Sequence, residues 1–179
     1  DARHLSARIA VGERAIRVHN LYVPAGGDEP DPEINRKFRH KLDFVDEMRS
    51  MRASGEPGVS SILVGDLNIA PFPEDVWSHK QLLDVVSHTP IETERLETLR
   101  GEAGWIDAAR LLTPEPEKIY TWWSYRAQDW LAADKGRRLD HIWVSQALGD
   151  RLQAIKVTKD ARGWERPSDH VPVTMTLDV

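Results

Sequence analysis

Ser61-Ile62-Leu63-Val64-Gly65-Asp66-Leu67-Asn68 begins as a short, continuous apolar run and ends on polar side chains. Such a run reads as a strand buried in a sheet, delivering the Asp66 carboxylate at its C-terminal end. Loops at strand ends are where sites tend to lie, because the scaffold behind them is rigid. Upstream, Ile34, Phe38, Leu42, Val45 and Met48 recur at spacings of three and four. That spacing predicts an amphipathic helix with Asp31 as N-cap and Pro32 in its first turn, running to about Ala53 and ended by residues 55–58. Before it, the alternation of Leu5, Ala7 and Ile9, a turn at Gly12-Glu13, and Ile16, Val18, Asn20 and Tyr22 on one face predict a β-hairpin. Tyr22 sits at the end of its second strand.

Downstream, residues 71–104 are polar, with short helices expected near 81–87 and 92–100, and a turn or helix over 105–112. Further strands are expected at 119–125, 138–144, 154–158 and 171–177. Strands dominate, the connections look mostly antiparallel, and no linker divides the chain. The pattern points to one domain, residues 1–179, that is either α+β or a layered β-sandwich with outer helices.

Composition narrows the chemistry. With no cysteine, disulfides and thiolate metal sites are excluded, so any metal is a hard cation held by oxygen and imidazole. No apolar run approaches the roughly 20 residues of a membrane span, and the N-terminal residues lack a signal-peptide core, so a soluble protein is expected. The net charge of -5 weighs against a nucleic-acid partner, since phosphate binding leaves a basic footprint. Yet Lys and Arg number 24 and cluster at Arg36-Lys37, Arg39-His40-Lys41 and Lys135-Gly136-Arg137-Arg138. A basic cleft on an acidic body and a solvated surface without a partner both fit.

Asp66 and Asn68, two apart, face one side of an extended backbone and offer one anionic and one neutral oxygen to a metal or phosphate. The same pair also suits a plain Asx turn. Ser168-Asp169-His170 precedes an alternating strand, and an Asp beside a His can supply a metal ligand and a general base. Asp140-His141 is a second such pair, and each alone is more often structural. In combination, Asp66, Asp140 and Asp169 lie at strand edges or termini, and Tyr22 ends a further strand. If those ends converge on one cleft, a two-carboxylate Mg²⁺ site there would neutralise a phosphodiester and stabilise its transition state.

One ordered series carries a resemblance: Asn20-Leu21-Tyr22-Val23-Pro24; the helix holding Lys37-Phe38 and Lys41-Leu42; Gly65-Asp66-Leu67-Asn68-Ile69-Ala70-Pro71; Tyr120-Thr121-Trp122-Trp123; Arg138-Leu139-Asp140; and Ser168-Asp169-His170-Val171-Pro172-Val173. It resembles the exonuclease III family of apurinic/apyrimidinic endonucleases, within the endonuclease/exonuclease/phosphatase superfamily. The resemblance implies an α/β fold, a four-layer α-β-β-α sandwich of the DNase I type, with its site at one end of two packed sheets. It implies a phosphodiester hydrolase that uses Mg²⁺, or Mn²⁺ in its place, and acts as a monomer in the bacterial cytoplasm. Its partner would be duplex DNA with abasic sites or 3′ ends.

Carried over residue by residue, Asp66 orients or deprotonates the attacking water, with Asn68 beside it as a transition-state stabiliser. Asp66, Asn68 and Asp169 are the implied metal ligands. His170 contacts the scissile phosphate or acts as base, Asp140 supports His170, and Tyr22 bonds the phosphate or helps the nucleophile. Trp122 and Leu139 fall on the wall of a pocket for a base-less sugar, although core packing explains Trp122 equally well and is favoured for Trp105 and Trp143. Arg126, Lys135, Arg137 and Arg138 border that segment as candidates to grip DNA phosphates.

Three departures stand against the pattern. The family's N-terminal Asn and metal-binding Glu, on early strands, have no counterpart here, so the chain is expected to be the C-terminal two-thirds of the fold. Its metal centre would then be incomplete, with exposed sheet edges and poor stability in isolation. Ala25 stands where relatives often carry an amide, and Arg137 where some place a pocket Trp. A phosphatase or phospholipase of the same superfamily, and an inactive DNA-binding fragment, are the competing readings.

Overall fold

The structure, a computed structural model, describes residues 2–54 and 57–178. The chain runs β1 (His4–Val11), β2 (Arg14–Tyr22), α1 (Arg36–Met48), β3 (Val59–Asp66), α2 (His79–Leu82), α3 (Pro90–Ala103), β4 (Trp105–Asp107) and α4 (Ala108–Leu112). It continues with β5 (Trp122–Trp123), α5 (Trp130–Ala133), β6 (Gly136–Arg137), β7 (Asp140–Ser145), α6 (Gln146–Gly149), β8 (Leu152–Val157) and β9 (Val173–Leu177).

Five strands form the main sheet in the order β1-β2-β3-β7-β4, with β5-β6 and β8-β9 as separate pairs. The β1–β2 hairpin forms as expected, around Gly12 at φ +59. The strand pairs are mostly antiparallel, as expected, but next to the hairpin β2 and β3 pair in parallel. A parallel neighbour requires a crossover, and α1 supplies it.

The continuous apolar run of β3 has a direct cause. Its side chains alternate between faces, and both faces are covered. On one side Leu63 joins Leu21, Val23, Phe44, Val45, Leu96, Leu99, Trp105 and Trp143, so α1 and α3 form a helical layer over the sheet. On the other side Ile62 packs with Ile142, Val144 and Leu148 against Ile155, Val173 and Met175 of the β8–β9 pair. The result is the layered α/β sandwich that the sequence resemblance implied. Trp105 and Trp143 are core residues, 2% and 0% exposed. At the sheet edge, Leu5 and Ile9 of β1 remain 69% and 50% exposed.

Helix α1 starts later than its periodicity suggests. Asn35 is the N-cap, its Oδ1 accepting from Lys37 N and Phe38 N. Asp31 instead closes an Asx turn by accepting from Glu33 N at 2.8 Å, and Ile34 points outward at 73% exposure. The helix ends at Met48 rather than near Ala53. Gly55, counted in its terminating segment, lies outside the described residues, while Gly58 takes φ +76 before β3. Residues 105–112 resolve into the short strand β4 followed by α4, capped by Asp107. Among the described residues, no helix is long and apolar enough to cross a membrane.

Candidate active site

The sheet register brings the polar strand ends together. Tyr22 is the Cα partner of Asp66 across β2–β3, and Asp66 is the partner of Asp140 across β3–β7. Gly65 makes this possible: at φ +138, a Cβ there would stand 1.9 Å from the Leu21 carbonyl oxygen of the parallel neighbour. Only glycine lets β2 approach closely enough to hold Asp66 at the strand end.

After Asp66 the chain turns. Asn68 N donates to Asp66 Oδ1 at 2.9 Å, the Asx turn anticipated from the pair, with Asn68 at φ +53. The side chain is also engaged, its Nδ2 donating to Asp66 Oδ2 at 2.9 Å and Val23 O at 2.9 Å. Turn and site are therefore the same structure. Beneath it, Lys41 Nζ donates to Asn68 O at 2.8 Å and pairs with Glu92 Oε1 at 2.5 Å, both side chains 0% exposed.

Asp140 is held from behind by Thr121, whose Oγ1 donates to Asp140 Oδ2 at 2.6 Å and accepts from Leu139 N and Asp140 N at 3.0 Å each. The same Oδ2 lies 2.8 Å from His170 Nδ1, while His170 Nε2 faces Asp66 Oδ2 at 3.8 Å. Asp66, Asp140 and His170 thus offer ligand atoms all within 4.8 Å of one another. Asp169 points elsewhere, accepting from Trp122 Nε1 at 3.0 Å.

Electrostatics follow from this crowding. Burial, then the neighbouring Asp140 charge, pushes the Asp66 carboxyl up to about 6. Burial pulls the His170 imidazole down, but the hydrogen bond and charge of Asp140, with Asp66 and Asp169, outweigh it and leave its pKa raised. A bound cation would relieve the repulsion that Asp66 feels from Asp140. An oxygen and imidazole donor set of this kind fits a hard divalent ion.

The site opens into a cleft of about 960 Å³ lined by Tyr22, Asp66, Asn68, Trp122, Arg126, Arg137, Leu139, Asp169 and His170. Of the residues given site roles from sequence, Asp140 and Arg138 are missing from that wall, and Asp140 sits behind His170. Trp122 is central: its backbone pairs with Arg137 in β6 and bridges to His170. Leu139, 5% exposed, backs the cleft in a cluster with Val76 and Leu82.

Arg138 is a correction. Rather than gripping phosphates it is 0% exposed, with Nε and Nη2 each 2.8 Å from Asp75 oxygens and Nη1 2.8 Å from Asp107 Oδ2. A guanidinium buried and neutralised in this way fastens the start of β7 to two other segments. Thr121 and the Lys41–Glu92 pair were not recognised as site components. Thr121 stood inside a quoted motif, but only the fold reveals its partner.

A model of the "Endonuclease/Exonuclease/phosphatase family" matches residues 13–170. The chain belongs to that family. Within it, Exodeoxyribonuclease III of Haemophilus influenzae is 29% identical over 164 residues, which cover 88% of this chain and 60% of that protein. An AP endonuclease from Archaeoglobus fulgidus superposes with a TM-score of 0.87 at 29% identity, over 99% of this chain and 65% of the other. A 3′ phosphatase, NExo from Neisseria, solved with a product DNA hairpin, gives a TM-score of 0.86 at 29% identity, over 99% and 65%. This member of the endonuclease/exonuclease/phosphatase family thus spans about 60 to 65% of the length of these relatives.

Proposed function

We propose that the protein is a Mg²⁺-dependent DNA-repair nuclease that hydrolyses phosphodiesters in duplex DNA, incising 5′ to abasic sites and trimming 3′ ends. The observation that carries this reading is the Asp66–His170–Asp140 constellation at the mouth of a cleft bearing Trp122, Leu139 and Arg126. Relatives named as exodeoxyribonucleases and an AP endonuclease, and a neighbour solved with DNA, support duplex DNA as the partner.

Each residue has a task in this reading. Asp66 Oδ2 orients the attacking water and accepts its proton, a role suited to a carboxyl whose pKa is pushed up to about 6. His170 directs Nδ1 at Asp140, whose charge favours the imidazolium, and in that form Nε2–H bonds a non-bridging oxygen of the scissile phosphate. Asn68 and Tyr22 flank that phosphate. Hydrolysis breaks the bond from phosphorus to the 3′ oxygen, so the abasic sugar stays on the phosphate and lies against Trp122 and Leu139. Asp66, with Asn68 beside it, would hold a divalent cation, which would supply charge neutralisation at the phosphate, while Asp169, expected from sequence as a further ligand, is turned to Trp122 Nε1.

The test is a set of duplexes carrying an internal tetrahydrofuran, a recessed 3′ end or a 3′-phosphate, each incubated with Mg²⁺ or with EDTA. Mg²⁺-dependent incision beside the tetrahydrofuran is the expected result. Release of phosphate alone would favour the second reading, a DNA 3′ phosphatase, for which the Neisseria neighbour speaks. No turnover of any duplex would leave a DNA-binding fragment.

A further inference from the structure

Arg137 is the unusual element of the cleft wall. Its guanidinium lies 5.3 Å from the centre of the Trp122 ring, and Nη1 is bonded to Val86 O at 3.1 Å and Ser87 Oγ at 2.7 Å. Nε is buried without a partner, and among the described residues no carboxylate ion-pairs with this side chain and no acceptor takes Nη2. The charged group that most supports it is Glu92, which is already committed to Lys41 at 2.5 Å. One carboxylate therefore serves two largely buried cations. A desolvated guanidinium with unused donors is costly unless something anionic arrives to use them.

Its position says what that anion would be attached to. Paired residues in a β-ladder project to the same face, so Arg137, Trp122 and His170, joined by the β5–β6 register and the Trp122–His170 bridge, look into one cleft. Arg137 stands two strand spacings from His170, about 10 Å between backbones. That places it beyond the scissile phosphate, where the reading above puts the group that remains esterified to it.

We propose that Arg137 forms an anion subsite that makes the cleft selective for a phosphate whose non-departing substituent is itself negatively charged, such as a terminal carboxylate or second phosphate at a blocked 3′ end. This rests on the nuclease reading for its chemistry, though not for its binding. An apolar residue at this place would discriminate by shape alone. A guanidinium discriminates by charge, and with Arg137 lining the cleft and Nη1 bonded to the 86–87 loop, Nη2 is the donor left for the ligand.

The experiment uses two duplexes identical except at the blocked end, one a 3′-phosphoglycolate and the other its neutral 3′-phosphoglycolamide. Affinities are measured by fluorescence anisotropy in EDTA, and initial rates in Mg²⁺. The glycolate duplex should bind about tenfold more tightly, as a charge-assisted hydrogen bond implies. Arg137→Gln should collapse the ratio to near one, and Arg137→Lys should restore part of it. If Arg137 only clamps the 86–87 loop, the variants will weaken both duplexes equally and the ratio will survive, which overturns the proposal. Equal or undetectable binding of the two duplexes by the unaltered protein overturns it as well. A preserved binding ratio with no cleavage of either duplex upholds the subsite while removing the nuclease reading.

Discussion

His170 Nδ1 sits 2.8 Å from Asp140 Oδ2, and this contact favours the charged form of the imidazole. Burial alone would lower the His170 pKa, but Asp140 turns the balance and raises it. Asp140→Asn should therefore shift the His170 titration, followed by its imidazole NMR resonances, to lower pH. In the reading above, the phosphate loses its protonated donor, so kcat/KM should fall by about 10²-fold or more, with the basic limb of the pH profile moving down. A His170 titration identical in both proteins would refute the assignment.

The raised pKa of Asp66 makes a statement about stability. The folded state holds a proton on this carboxyl up to about 6, whereas the reference value is 3.8. Native protein thus binds more protons than unfolded chain between those values, so the stability this group confers is lost as pH rises through that window. Above it, ionised Asp66 costs the metal-free protein about 2–3 kcal/mol. Asp66→Asn in EDTA at pH 7.5 should raise Tm, and Mg²⁺ should raise Tm of the original protein but not of the variant. A Mg²⁺ shift that survives Asp66→Asn places the cation elsewhere.

Gly65 tolerates no side chain. The Leu21 carbonyl oxygen lies 1.9 Å from the place a Cβ would take, and it belongs to backbone that cannot move without parting β2 from β3. Gly65→Ala should cost about 3 kcal/mol or more, by urea denaturation, or prevent folding. Stability equal to that of the original protein would show that the parallel pairing is wrong.

Two arginines close in sequence should behave oppositely. Arg138→Met leaves Asp75 and Asp107 with a lost buried partner and should destabilise the fold by about 3–5 kcal/mol. Arg126→Ala, at an exposed position on the cleft, should leave Tm within about 0.5 kcal/mol equivalent, weaken DNA binding and lower the salt dependence by about one counterion. The reverse outcome would exchange the two assignments.

Much of this was legible in the sequence because local patterns report local structure. The hairpin, the buried β3 run and the polar strand ends were all readable, and nearly all the singled-out side chains line one cleft. What escaped depended on partners far away in the chain. The parallel β2–β3 pairing is invisible to alternation, which is the same for either direction. Arg138 looked like part of a solvated basic run because its carboxylates are 63 and 31 residues distant. Asp31 and Asn35 are both good caps, and the choice between them turned on Pro32 and an Asx turn that keeps Ile34 outside the helix.

The backbone of Trp122 lies between Arg137 on one side and His170 on the other. In the reading proposed above, selection and chemistry are set apart by a fixed unit, the spacing of strands in a ladder, and not by a loop whose length can drift. Side chains at positions 122 and 137 can then be exchanged over evolutionary time, altering what enters the cleft while the imidazole keeps its aim. Substrate range in such a scaffold is free to diversify by substitution alone, with no remodelling of the machinery beside it.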